Sequence, residues 1–154
     1  MSALHHVGLT VPNLAQAVRF LGEAFGCEEL LRTSPGALDA AAARAKNVQP
    51  GVVLNGIAVL RGANLLIELF EYAGTAAVPP QDSHLPGAAH VAFEVADLET
   101  AVRRAEAAGA RACSGINTAR SPGFEGLRWI YLVSPWGQTF ELVDASAAPG
   151  LALQ

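Results

Sequence analysis

Hydrophobic positions along this chain switch from period two to helical spacing and back, and they do so twice. Residues 4–11 alternate apolar with polar and are rich in β-branched side chains, the pattern of a half-buried strand. Pro12 closes that strand. Asn13 is a good N-cap, and Gln16 three residues on completes a capping box. Leu14, Ala17, Val18, Leu21 and Phe25 then fall on one helical face, and Gly26 ends the helix. A strand is predicted at 27–33 and a short Ala-rich helix within 37–46. Two further strands are predicted at 51–60 and 63–72, joined in a hairpin around Arg61-Gly62. Residues 73–88 hold Gly74, Pro79, Pro80, Pro86 and Gly87 and read as a linker. The order then repeats: a strand at 89–95, a helix capped by Asp97 and ended by Gly109, a strand at 110–117, a Gly/Pro loop at 121–126, and a hairpin of 127–133 with 138–144 turning at Ser134-Pro135-Trp136-Gly137.

The repetition is also literal. His6-Val-Gly-Leu-Thr-Val-Pro-Asn-Leu-Ala-Gln-Ala-Val-Arg19 recurs 84 residues later as His90-Val-Ala-Phe-Glu-Val-Ala-Asp-Leu-Glu-Thr-Ala-Val-Arg103, with half of the positions identical. An internal repeat fixes the architecture before any local assignment. The chain therefore reads as one domain of two βαβββ modules: 4–72, the linker 73–88, then 89–144 and a tail 145–154. His6 to Glu68 spans 62 residues and His90 to Glu141 spans 51. The surplus fits an insertion near 34–50, and long loops on a rigid scaffold often shape specificity.

Composition narrows the field. Half of the 154 residues are hydrophobic and 16% are charged, so the chain has material for a core. No apolar run has the length to span a bilayer, and the start shows no secretory signal, so the expected location is cytoplasmic. A net charge of −4 without a basic stripe argues against nucleic-acid binding. Cys27 and Cys113 occupy non-equivalent positions and are expected to be reduced and buried.

Four residues stand out by symmetry. His6 and His90 open equivalent strands, and Ile67-Glu68-Leu69 matches Phe140-Glu141-Leu142 near the end of each module. Taken singly, a histidine at a strand start is most often an exposed polar residue, and a strand Glu most often faces solvent. Their joint symmetric placement points instead to a shared divalent-metal site. Imidazole suits Zn, Ni, Co or Fe, and carboxylate suits harder ions such as Mn. Four ligands leave two places on an octahedral ion for water or a bidentate small-molecule substrate. His5 and Glu71 are expected to face the other way by strand alternation, and Glu94 is a second-choice polar residue on the face of His90.

His6-Val-Gly-Leu-Thr-Val, Leu66-Ile67-Glu68-Leu69, His90-Val-Ala-Phe-Glu-Val and Ser134-Pro135-Trp136-Gly137-Gln138-Thr139-Phe140-Glu141-Leu142 together resemble the vicinal oxygen chelate superfamily of glyoxalases, bleomycin-resistance proteins and dioxygenases. The resemblance covers nearly all of the chain except 34–50 and the tail. It implies an α+β fold in which paired βαβββ modules form a cupped mixed β-sheet around a metal. It places the metal ligands at His6, Glu68, His90 and Glu141. Filling all four positions looks closest to glyoxalase I. That implies a lyase or isomerase in which the metal polarises a carbonyl and Glu141 or Glu68 moves a proton beside it. A metal-free small-molecule binding or resistance protein and an Fe(II) extradiol-type dioxygenase are the alternatives. Arg32, Arg44, Lys46, Arg120 and Arg128 are the cations available to recognise glutathione, although solubility alone accounts for surface charges of this kind. The resemblance also implies a homodimer.

Overall fold

The computed structural model describes residues 3–152, which divide into two compact units meeting between Ala77 and Val78. The break falls inside the predicted linker. Residues up to Ala77 go with the first unit, and those from Val78 go with the second.

The first unit is built from β1 (His6–Thr10), α1 (Leu14–Phe25), β2 (Glu28–Arg32), β3 (Gly36–Ala37), α2 (Ala40–Ala45), β4 (Val53–Arg61) and β5 (Leu66–Tyr72). Its sheet runs β1-β5-β4-β2, with β3 also on β4; β1 and β5 are parallel and the other pairs antiparallel. The Asn13 side chain caps α1 by accepting from the Gln16 amide at 2.8 Å. Gly26, at φ 72°, ends the helix in the left-handed conformation. Leu14, Ala17, Phe20, Leu21 and Ala24 form the buried stripe of α1, which packs on β4 and β5 against Leu54, Ala58, Leu60, Ile67 and Leu69. Each large apolar side chain sealed there contributes roughly 1.5–3 kcal/mol.

The second unit repeats this plan with β6 (His90–Glu94), α3 (Leu98–Ala107), β7 (Arg111–Ala112), β8 (Asn117–Thr118), β9 (Arg128–Val133) and β10 (Thr139–Asp144). Its sheet runs β6-β10-β9-β7, with β8 also on β9; here β6 and β10 are the parallel pair. Leu98, Ala101 and Ala105 of α3 seal a core with Ile130, Leu132, Phe140 and Leu142.

Two local expectations need correction. The strand predicted at 110–117 is interrupted, leaving β7 and β8 as two-residue pieces. Between them a turn at Ser114-Gly115 is held by the Asn117 side-chain amide, which donates to Ser114 Oγ and the Gly115 carbonyl. In the first unit, the strand predicted at 27–33 is found as β2, and β3 adds two residues beyond it on β4. The short helix lies within its predicted stretch, where Asp39 caps it by accepting from the Ala42 amide. Cys113 is exposed rather than buried, since the turn carries it away from the core. Cys27 is buried, and both cysteines are free. Among the described residues no helix is long and apolar enough to cross a membrane.

Candidate functional site

In both sheets alternation turns one set of side chains toward the helix and the other onto the opposite, open face. In β1 and β5 the open set includes His6, Gly8 and Thr10 with Leu66, Glu68, Phe70 and Tyr72, while Ile67 and Leu69 are buried. Glu68 lies opposite Gly8 on one side and Val59 on the other. His6 Nε2 and Glu68 Oε2 stand 3.5 Å apart. The second unit repeats the arrangement. His90 and Glu141 are on the open face, Glu141 lies opposite Ala92 and Tyr131, and His90 Nε2 is 3.1 Å from Glu141 Oε2. Each unit thus joins the predicted histidine to the predicted carboxylate. Among the described residues no group of three or more His, Cys, Asp or Glu side chains is arranged to hold a metal ion.

The two pairs are not identical electrostatically. The Glu141 side chain is 14% exposed against 28% for Glu68. Burial pushes the Glu141 carboxyl above its ordinary value, opposed in part by the His90 imidazole. Tyr72 and Tyr131, the only two tyrosines, are also raised, first by burial and then by the negative charge of Glu68 and Glu141 respectively. Both phenols therefore keep their protons at neutral pH and remain hydrogen-bond donors beside the carboxylates. Tyr131 packs its ring 5.1 Å from that of His90 and 5.1 Å from that of Trp129. A cavity of about 180 Å³ adjoins His90, Tyr131 and Thr139, closed on one side by Gln81 and Ser83 of the linker.

The exclusions by alternation fare differently. Glu71 does turn to the helix side, where it accepts from the Leu14 amide at 2.7 Å and from the Asn55 side chain at 2.9 Å. It is a structural acid at the start of α1, where the helix dipole favours negative charge. His5 precedes the first residue of β1, so strand alternation does not govern it. Its Nδ1 lies 2.9 Å from that of His6, and the rings meet edge to face. Glu94 sits on the open side of β6, opposite Val143. Of the candidate cations, Arg32 is held by Glu29, and Arg128 bridges Glu99 and Asp144. Both have structural work within their own units. Residues 65–72 and 129–133 read from the sequence as apolar and aromatic wall for a small ligand, but the tyrosine hydroxyls as donors beside the carboxylates, and the linker residues, escaped that reading. The signal for Tyr131 was the alternation Trp129-Ile130-Tyr131-Leu132, whose odd members face away from the core.

The donor chemistry of the pairs suits a metal ion. Ligands about 2.0–2.2 Å from a first-row ion stand roughly 3–3.5 Å from one another. Each imidazole nitrogen and carboxylate oxygen has that spacing on an accessible face.

Residues 5–126 match the family model of the Glyoxalase/Bleomycin resistance protein/Dioxygenase superfamily. The chain belongs to this superfamily. The matched stretch takes in His6, Glu68 and His90 and stops before β9 and β10, so Glu141 rests on the internal repeat and on the geometry of the second unit. As a superfamily member the chain is 36% identical to a 2-epi-5-epi-valiolone epimerase from Actinomyces sp, over 94% of this chain and 80% of that protein. Its fold is that of a glyoxalase family protein from Bacillus cereus, with a TM-score of 0.75, 20% identity and 94% of each chain covered. It is also that of the fosfomycin resistance protein FosX from Listeria monocytogenes, whose structure is a complex with Mn(II) and sulfate. That match has a TM-score of 0.62 and 20% identity, over 94% of this chain and 93% of that one. The two mixed α+β units agree with the fold expected from the resemblance.

Proposed function

We propose that this superfamily member is a divalent-metal-dependent epimerase that inverts a carbon next to the carbonyl of a small cyclic polyhydroxy ketone. The observation that carries the reading is the likeness to the 2-epi-5-epi-valiolone epimerase along almost the whole chain. The paired His6–Glu68 and His90–Glu141 contacts support it chemically. In this reading His6, Glu68, His90 and Glu141 together hold one ion of the Zn, Ni, Co, Mn or Fe type. Bound there, such an ion supplies Lewis acidity, which makes a C–H next to a substrate carbonyl easier to ionise.

The protein's own part is the handling of the proton. Inversion requires that a proton leave one face of the carbon and that a proton return to the other face, with no net change in composition. Glu68 and Glu141 are the two carboxylates available to take it and give it back. Tyr72 and Tyr131, protonated beside them, donate hydrogen bonds to substrate oxygens. The aromatic and apolar neighbours limit the water that would compete for the proton. The active protein is proposed to be a homodimer, for which light scattering should return twice the chain mass; a monomer mass would rule this out.

The reaction is tested by incubating the metal-loaded protein with 2-epi-5-epi-valiolone in deuterium oxide and following proton NMR. The expected result is loss of one signal beside the carbonyl together with growth of a second diastereomer carrying deuterium there. Absence of both exchange and epimer with each of the five metals would reject the proposal. Fe(II)-dependent oxygen uptake with catechols would favour a dioxygenase instead.

A further inference from the structure

The insertion that distinguishes the first unit ends in an unusual place. After α2 the chain turns at Asn47, a non-glycine residue in the left-handed region at φ 54°. The Asn47 amide donates to the Arg44 carbonyl, and the Val48 amide reaches back to the Ala43 carbonyl at 3.0 Å. This cap brings residues 45–48 over the open face of the first sheet. There they line a half-open cavity of about 470 Å³ with Gly8, Thr10, Phe70 and Tyr72. The size falls within the roughly 300–1,000 Å³ of small-molecule sites. Phe70 and Tyr72 form its apolar floor, their rings stacked 6.0 Å apart and 7° from parallel. Phe70 extends toward Gly8, where a Cβ would meet its ring at 3.6 Å. Lys46 sets its ammonium 5.2 Å above the Phe70 ring. It is the only lysine in a chain that otherwise draws its cations from arginine. Phe70 is two residues from Glu68 on the same strand face, so the cavity adjoins the carboxylate proposed to move the proton.

A ring with C–H faces and a hydroxyl rim needs an aromatic floor and several donors around the edge. Phe70 and Tyr72 give the floor; Thr10, Lys46, Asn47 and the Tyr72 hydroxyl give the rim. We infer that this cavity is the subsite for the hydroxylated ring of the substrate and that Lys46, supplied by the insertion, is its specificity-determining donor. The inference rests on the epimerase reading above and adds to it the residues that select the substrate.

The test uses full-length protein with 13C-labelled lysine, in which Lys46 gives one set of side-chain signals. Titration with 2-epi-5-epi-valiolone should move those signals saturably, with or without metal. Lys46→Met keeps the stem over Phe70, so it should retain the melting temperature and metal affinity of the parent. It should raise KM about tenfold, as expected for loss of one charge-assisted hydrogen bond, with kcat within about twofold. Lys46→Arg should recover part of the loss. Turnover by the parent with an unmoved lysine signal and an unchanged KM in Lys46→Met overturns the subsite and leaves the reaction standing. A moved lysine signal without turnover or exchange overturns the reaction and leaves the subsite standing. A parent that neither turns the ketone over nor moves the lysine signal overturns both.

Discussion

Gly137 is the position at which a single methyl group should do most damage. It closes the turn between β9 and β10, the strands that carry Tyr131 and Glu141, and it lies at φ 97°. A Cβ built there falls 1.9 Å from the Val78 carbonyl oxygen, where real Cβ atoms essentially never come within 3.0 Å. The obstacle is backbone, and it is tied down, since the Val78 amide donates to the Trp136 carbonyl. Gly137→Ala therefore incurs about 1–2 kcal/mol of left-handed strain. It also loses that hydrogen bond, worth roughly 0.5–1.5 kcal/mol, and it shifts the first residues of the second unit. A total of about 3 kcal/mol corresponds to a fall in Tm on the order of 10 °C for a protein of this size. Gly123 provides the control. It has φ 85° but nothing within 4 Å of its added Cβ, so Gly123→Ala carries only the strain. Thermal and urea denaturation of both variants, followed by circular dichroism, measures the difference. If Gly137→Ala loses no more than Gly123→Ala, the Val78 contact is not what requires glycine, and the argument fails.

Three further outcomes are expected. His6→Ala and His90→Ala should each lower the affinity for a divalent ion by at least about a hundredfold in calorimetric titration, and an unchanged affinity would remove that residue from the ligand set. A thiol reagent at pH 8 should label Cys113 rapidly and Cys27 only after unfolding, because burial raises the Cys27 thiol to about 11 and keeps it protonated; two fast thiols in the native protein would contradict this. The Asp144 carboxyl is held below its ordinary value by the Ser146 hydroxyl and amide and then by Arg128. Its stabilising effect is complete above the normal carboxylate range and lost as pH falls through the lowered folded value. The Tm penalty of Asp144→Asn should therefore be present at pH 7 and close in acid; a pH-independent gap would refute it.

The parts of the fold legible in the sequence are those written in local periodicity and repeated twice. Asn13, Asp97 and Gly26 act at the helix ends as their types predict. The His–Glu partnership could be read because both residues occupy matching places in two copies. What escaped depends on individual side-chain and backbone contacts that hydrophobic periodicity does not encode. The break between β7 and β8 comes from Asn117 reaching Ser114 and Gly115, which no hydrophobic period encodes. His5 was excluded by a rule that holds only inside a strand. The insertion was visible as surplus length, but its destination above Phe70 is set by the cap at Asn47, a conformation that residue tolerates without announcing it.

The parallel pairing of first and last strands has a consequence for how these proteins diversify. His6 and Glu68 meet only when the entire first unit has closed on itself, and His90 and Glu141 do so in the second. The entropy of closing such a loop grows only with the logarithm of its length. By that rule the eleven additional residues of the first unit make its closure harder by merely about 0.2 kcal/mol. A lineage can therefore lengthen, shorten or rewrite the segment between β3 and β4 with little effect on the assembly of the histidine–carboxylate pair. On the proposed reading, chemistry and selectivity thereby fall on separate stretches of chain that can change independently.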